Sequence, residues 1–461
     1  MDTVTDGVVV IGAGLAGCEC ALALAKRGVP VKLYEMRPQA TSAAHKTDHL
    51  AELVCSNSLK ALRADSAAGL LKAELARLGS TLIGLAKQAA VPAGGALAVD
   101  RDVFSSLVEQ AVAAEPLIEL IREEVVELPQ GCPVVVAAGP LCSGALAQTV
   151  EGLVGGKKLS FFDAAAPIVD ASTLDREKVF AMSRYDKGDG DDYLNCPMDK
   201  EEYDRFVDEL VGAERAILRD FERRELFQAC QPAEEVARTG HDALRFGALK
   251  PVGIIDPRTG RRPWAVVQLR AENRQGTAYN LVGFQTNLTW PEQRRVFRMI
   301  PGLEECEFFR YGVMHRNTFI DAPACLDGTF ALKGDRRIRF AGQITGTEGY
   351  TEAIATGLLA AFNTLADLRG LALSPLPVTG ALGSLMAYAT DPATKDYQPM
   401  HVNFGIVPAL EHKGKLSKRD KYKLYAKRAA TDLDAWCAAN ASVVEIDPEA
   451  RTELVWGDDG R

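Results

Sequence analysis

Apolar residues run unbroken from Val8 to Ile11, give way to a glycine-rich turn, and resume in an Ala/Leu-rich stretch that ends at Gly28. A short continuous apolar run is the pattern of a strand buried on both faces. The Ala/Leu stretch predicts a helix, and Gly28 fits the cap that ends it. Val31 to Tyr34 predict a second strand, followed by Glu35. The first forty residues therefore predict a β-α-β unit. "PVVVAAGP" (Pro133 to Pro140) predicts another buried strand ending in a glycine turn. Far downstream, Ile338 to Ala341 predict a strand that meets Gly342, a polar glycine loop and another Ala/Leu helix.

Between these ends the texture changes. From about Gly155 to Ile320, charged helices are predicted across Asp192–Leu226. Trp264–Leu269 and Ala278–Phe284 predict strands joined by a polar turn containing Gly276. The last ninety or so residues read as helical. The pattern as a whole predicts an α/β nucleotide domain split by an α+β insertion, with parts at 1–154, 155–320 and 321–461.

The first turn carries Gly12, Gly14 and Gly17 in the spacing G-x-G-x-x-G. The first glycine permits the tight turn, the second lets the backbone approach a pyrophosphate, and the third lets helix and strand pack closely. The helix N-terminus adds free N–H groups and a partial positive charge. Glu35 stands where a carboxylate accepts from ribose hydroxyls and repels a 2′-phosphate, so the site suits FAD or NAD. Ala13 in this turn, and Gly342, Gln343, Gly346, Glu348 and Gly349 in the second, complete the candidate cofactor-binding set.

Composition sets bounds. The chain has 461 residues, 25% of them charged and 47% hydrophobic, as in ordinary soluble domains. No run of 18 apolar residues predicts a membrane span. The opening "MDTVTDG" lacks the basic and apolar parts of a signal peptide, so a cytoplasmic protein is expected. Ten scattered cysteines with no C-x-x-C pair predict neither a disulfide framework nor a structural metal. The net charge of −9 argues against indiscriminate polyanion binding. Against that background Lys413–Arg428 is a basic run, with Tyr422 and Tyr425 available for stacking on bases if it contacts nucleic acid. A solvated helix face is the plainer reading.

Among the thiols, Cys18 and Cys20 fall inside the first helix and read as core, and Cys196 reads as structural. Cys55 lies in a polar run, "VCSNS", and by itself reads as a partly buried small residue. Cys230 has Arg223, Arg224 and Arg238 nearby, which favour a thiolate, and Glu234 and Glu235, which oppose it. Nucleophile and packing residue stay evenly balanced on these grounds. His315 stands equally between core and site.

The strings "GAGLAGCECA", "LVCSNSLK", "LNCPMDKEEY", "GALKPVGI", "YGVMHRNTFID" and "FAGQITGTEGYTEAIATGLLA" occur in this order across nearly the whole chain. Together they resemble the bacterial folate- and FAD-dependent tRNA (uracil-5-)-methyltransferases. More distantly the chain is similar to the FAD protein of wobble-uridine modification, which lacks the "VCSNSLK" and "NCPM" strings. The resemblance implies a glutathione-reductase-type, Rossmann-like FAD domain with an insertion. It implies 5,10-methylenetetrahydrofolate as carbon donor, FAD as electron source, and NADPH or NADH as reductant. The implied target is a uridine in the T-arm of tRNA; some relatives act on ribosomal RNA instead. It also implies that Cys55 and Cys230 are the functional pair. Position 287 is asparagine, where many relatives carry a histidine that stacks on folate. A plain FAD/NAD(P)H oxidoreductase and a non-enzymatic RNA-binding flavoprotein are the competing expectations.

Overall fold

A computed structural model gives the fold of residues 7–42, 44–156, 158–186, 190–216, 231–394, 397–412 and 416–444. The apolar run Val8–Ile11 is the centre of a six-stranded sheet. The order across it is Ala331–Leu332, Asp335–Phe340, Val134–Val136, Val8–Ile11, Val31–Tyr34 and Ile118–Ile121. The last five pair in parallel, and Ala331–Leu332 adds an antiparallel edge. Val8, Val10 and Val134 to Val136 are fully enclosed, as a sheet covered on both faces requires. A strand from late in the chain thus pairs with one some two hundred residues earlier in the same sheet.

Two helices lie against this sheet, Leu15–Ala25 and Tyr350–Leu368. Their contact is close because it is made on glycine. A Cβ on Gly357 would stand 2.2 Å from the Ala16 carbonyl oxygen, and one on Gly17 only 1.8 Å from that of Gly12. Two buried carboxylates brace the periphery. Glu19 accepts from the Thr81 and Leu82 N–H groups, and Glu74 from those of Ala381 and Leu382, so each caps the start of another helix. Burial pushes both carboxyls up to about 7.

The insertion is built on an antiparallel sheet ordered Phe180–Ala181, Tyr193–Met198, Ala265–Ala271, Ala278–Leu281, Ile168–Asp170 and Phe308–Arg310. The helix Lys200–Gly212 packs on it and starts with a capping box between Asp199 and Glu202. Its core is separate from that of the nucleotide domain and centres on Phe206, Phe284 and Phe297. Lys158–Ala164 and Met314–Ile320 form a two-stranded ribbon at the insertion's two ends.

Two expectations are corrected. Tyr193–Met198 is an internal strand and not the start of a charged helix. Its polar residue Asn195 is fully buried and satisfied by the carbonyls of Phe180 and Met182 and by Gln268, so a central strand was hidden under polar letters. The C-terminal region is only partly helical. Helices span Ala381–Thr390 and Lys418–Ala439, while Pro375, Pro377, Pro392, Pro399 and Pro408 keep the intervening described chain irregular.

Candidate active site

The two glycine turns meet at one cleft. Gly12, Gly14, Tyr34, Glu35, Gly342 and Gln343 are in its wall, as are Glu52, Val54 and Tyr350. Both helices that point at it begin on glycine, Gly14 and Gly349, and neither start is capped by a side chain. At Gly14 the first N–H groups are left for a ligand, as a helix start that binds an anion requires, whereas the Glu352 carboxylate lies against Gly349 at the second start. A Cβ placed on Gly14 meets nothing within 4 Å, so the open space begins at that residue. Gly12 has φ +99° and its Cβ would stand 2.6 Å from the Ala137 carbonyl oxygen, so it serves the turn itself. The uncapped start at Gly14, over a Cβ-free cradle, fits the pyrophosphate of a dinucleotide such as FAD.

Glu35 is 4% exposed. One carboxylate oxygen accepts from the Ala13 N–H at 3.1 Å, and the other from the Arg37 N–H and Nε at 3.1 and 2.8 Å. Burial works to raise this carboxyl, but Arg37 outweighs it and holds the group below the usual range. Glu35 thus stays ionised and closes the first turn through Ala13. Arg37, which also pairs with Glu52 at 2.9 Å, is a residue the sequence reading did not single out.

In the second turn Gly342 has φ +83° and donates its N–H to Thr356 Oγ1 at 2.7 Å. Gln343 donates its side-chain amide to Glu348. Burial, aided by Asp163, pushes Glu348 up to about 8, and its second oxygen has no partner among the described residues. Gly346 lies against the Tyr397 ring, which would stand 2.6 Å from a Cβ there.

Cys55 is half-buried just beyond this cleft. Its N–H and that of Ser56 donate to Tyr350 Oη at 2.8 and 3.1 Å, and its thiol faces the Ala164 carbonyl at 3.6 Å. Tyr350 is therefore a second residue that local sequence did not reveal; it joins the start of the helix Tyr350–Leu368 to the Cys55 loop. Cys18, Cys20 and Cys196 are fully buried, and burial raises each thiol.

Cys230 lies outside the described residues, as do Lys413 and Lys415 of the basic run. The described chain on either side of 217–230 is tied to one strip: the Ala216 N–H donates to the Asn287 carbonyl, and the Ala233 N–H to that of Gln285. Asn287 is 1% exposed, and its N–H donates to the buried Glu234 carboxylate at 2.6 Å. In the basic helix Lys418 and Arg419 are exposed and Lys421 and Lys423 half-buried. Tyr425, expected to be free for stacking, is 3% exposed and stacks on Phe404 at 5.3 Å between ring centres. Tyr422 also packs on Phe404, at 4.4 Å, which leaves it half-buried. Among the described residues no group of three or more His, Cys, Asp or Glu is arranged to hold a metal, and no helix is long and apolar enough to cross a membrane.

The family model described as glucose inhibited division protein A matches residues 7–372. Among solved structures, Aquifex aeolicus GidA in its form II crystal aligns with a TM-score of 0.68 at 16% identity, over 99% of this chain and 76% of that one. It shares the fold. A methylenetetrahydrofolate–tRNA-(uracil-5-)-methyltransferase TrmFO of Geobacter sulfurreducens is 57% identical over 434 residues, covering 94% of this chain and 99% of the relative. The protein of that name from Heliobacterium modesticaldum is 53% identical, over 95% and 100% respectively. With identity of this order along the full length of both chains, and with the glycine turns and the Cys55 loop gathered at one cleft, the chain belongs to the methylenetetrahydrofolate–tRNA-(uracil-5-)-methyltransferase TrmFO family.

Proposed function

We propose that this chain moves the one-carbon unit of 5,10-methylenetetrahydrofolate to carbon 5 of a uridine in the T-loop of tRNA and delivers it as a methyl group. The observation that carries the proposal is the fixing of Cys55 at the dinucleotide cleft, through Tyr350, whose side chain both lines the cleft and accepts from the Cys55 N–H. The names of the relatives supply the reaction. FAD, whose pyrophosphate the uncapped helix start at Gly14 would hold, would supply the electrons for the reduction once reduced, with NADPH or NADH restoring them.

Carbon 5 of uracil is a weak nucleophile. A thiolate that adds to carbon 6 pushes the π electrons of the 5,6 double bond towards O4, and the resulting enolate makes carbon 5 reactive. We assign this addition to Cys230. Carbon 5 then bonds to the one-carbon unit; loss of the carbon 5 proton expels the donor nitrogen and leaves an exocyclic methylene, and hydride addition to that carbon gives the methyl, expels the thiolate and restores the 5,6 double bond. Cys55, held by its backbone against Tyr350, moves that proton or shields the reacting carbon. We draw the domain boundaries at 154/155 and 320/321, with the substrate-facing insertion between the two halves of the FAD domain. The deciding experiment supplies the purified protein with unmodified tRNA, NADPH and 5,10-methylenetetrahydrofolate. 5-Methyluridine in the T-loop, formed only when the folate is present, is the expected product. Flavin turnover with no RNA methylation would point instead to a small-molecule oxidoreductase.

The exposed part of the basic helix is proposed to contact RNA phosphates. Neutralising Lys418, Arg419, Lys421 and Lys423 together is expected to flatten the slope of log affinity against log salt by about 0.7 to 0.9 for each phosphate no longer neutralised. Filter-binding titrations across salt concentrations read this slope. An unchanged slope would make the run a solvated helix face.

A further inference from the structure

Three arginines from distant parts of the chain converge on the loop that carries Cys55. Arg270, from the insertion's strand Ala265–Ala271, is 7% exposed and donates to Asn57 Oδ1 at 2.8 Å and to Ser56 Oγ at 2.9 Å. Asn57, itself fully buried, returns its amide to the Val99 and Ala271 carbonyls. Arg310 donates to the Val54 carbonyl at 2.7 Å. Arg101, at the start of the helix Arg101–Ala113, reaches the Leu53 carbonyl and pairs with Glu272 at 2.7 Å. The loop is thus gripped on both sides of Cys55.

The grip leaves cationic capacity unused. Arg310 Nε and Arg101 Nη2 are buried without a hydrogen-bond partner among the described residues. Arg101 has Glu272, but neither Arg270 nor Arg310 has an ion-pair partner among those residues. The cluster therefore carries more positive than negative charge in a largely water-excluded place, and each arginine is within electrostatic reach of the Cys55 sulfur. Burial lowers Arg310, and repulsion from Arg101 lowers it further, so the excess charge is felt within the cluster. Such a site is stabilised by an anion. Arg101 remains 17% exposed and Arg310 is half-buried, so both side chains border solvent although those two nitrogens are themselves enclosed.

We propose that Arg101 and Arg310 form the oxyanion site of the reaction, taking the negative charge that reaches the pyrimidine oxygen when a thiolate adds to carbon 6, while Arg270 fixes the loop between them. The inference rests on the methyl-transfer reading above. In the addition the sulfur lone pair forms the S–C6 bond, the π pair of the 5,6 bond shifts into conjugation with C4, and the charge passes from sulfur to O4. When carbon 5 takes up the one-carbon unit, that charge is discharged. Donors aimed at a charge present only in this interval accelerate the step without tightening ground-state binding.

The test uses the FAD-loaded protein and a T-arm RNA carrying 5-fluorouridine, with folate and NADPH supplied. It reads the rate of covalent complex formation and, separately, the RNA dissociation constant. Arg310→Met is expected to slow complex formation by about 10²-fold to 10³-fold, with flavin content and RNA affinity unchanged. Arg310→Lys, which keeps the charge, is expected to recover at least about tenfold of that loss. Arg101→Lys provides a second reading if the methionine variant loses its flavin. A rate within threefold of wild type for Arg310→Met overturns the proposal. So does a loss confined to RNA affinity with a flatter salt slope, which would make Arg310 a phosphate contact. Absence of any complex with the wild type removes the methyl-transfer reading, and this inference with it.

Discussion

A protein carrying Cys55→Ala is expected to keep its FAD and its affinity for tRNA while forming 5-methyluridine about 10²-fold to 10⁴-fold more slowly, the range for removal of a group that handles protons. The fold has little reason to notice the change. The backbone N–H that binds Tyr350 is retained, and the thiol itself makes only a 3.6 Å approach to the Ala164 carbonyl. Cys230→Ala is expected to abolish product altogether, because it removes the covalent step, while reduction of the flavin by NADPH continues. The two variants separate in gel analysis of complexes with 5-fluorouridine RNA, whose carbon 5 fluorine cannot leave after transfer. Wild type is expected to give a covalent complex and Cys230→Ala none. A complex that survives Cys230→Ala but not Cys55→Ala would exchange the two roles, and full methylation by both variants would return the thiols to ordinary packing.

Gly14→Val is expected to give a folded protein that has lost its yellow colour. A Cβ at this position meets nothing within 4 Å, so the fold is expected to accommodate it. It projects into the space above the helix start, where a pyrophosphate must come within hydrogen-bonding distance of the N–H groups. Hydrogen bonds to a charged group contribute about 1.5 to 3 kcal/mol each, so removing one or two weakens FAD by on the order of 10²-fold. Flavin absorbance per protein and titration of the apoprotein measure this. Gly17→Val is the instructive contrast. Its Cβ would stand 1.8 Å from the Gly12 carbonyl oxygen, so soluble protein itself should be lost. Full flavin occupancy in Gly14→Val would move the cofactor elsewhere.

The nucleotide half of this fold was legible because its signals are local. Strand, glycine turn, helix and acid follow one another within thirty residues, and each element shows its own period or its own cap. The same holds for the second turn, while the pairing of the two halves in one sheet follows from the likeness of the two turns. The insertion was less legible where a strand such as Tyr193–Met198 buries a polar side chain, because the satisfaction of Asn195 comes from Phe180, Met182 and Gln268 and leaves no trace in its own neighbourhood. The site divides along the same line. Gly14 and Glu35 announce themselves, and Cys55 was flagged only by resemblance. Tyr350 and the arginines at 101, 270 and 310 stand up to three hundred residues from the loop they hold. Tyr425 shows the reverse case, an aromatic in a basic run that tertiary contact with Phe404 takes out of reach.

The sheet also dictates an order of assembly during synthesis. Val134–Val136 gains its outer neighbour only when Asp335–Phe340 has left the ribosome, and the helix whose start completes the cleft follows still later. The insertion, contiguous and with its own core, is expected to fold in the meantime and to draw its two ends together through the ribbon of Lys158–Ala164 with Met314–Ile320. Closure across a folded insertion then resembles joining a short tether more than closing a loop of two hundred residues, whose entropic cost grows with the logarithm of its length. A nascent chain stalled before residue 335 should therefore carry a structured middle and no flavin, so cofactor capture becomes a late event that waits for the chain to return to its first sheet.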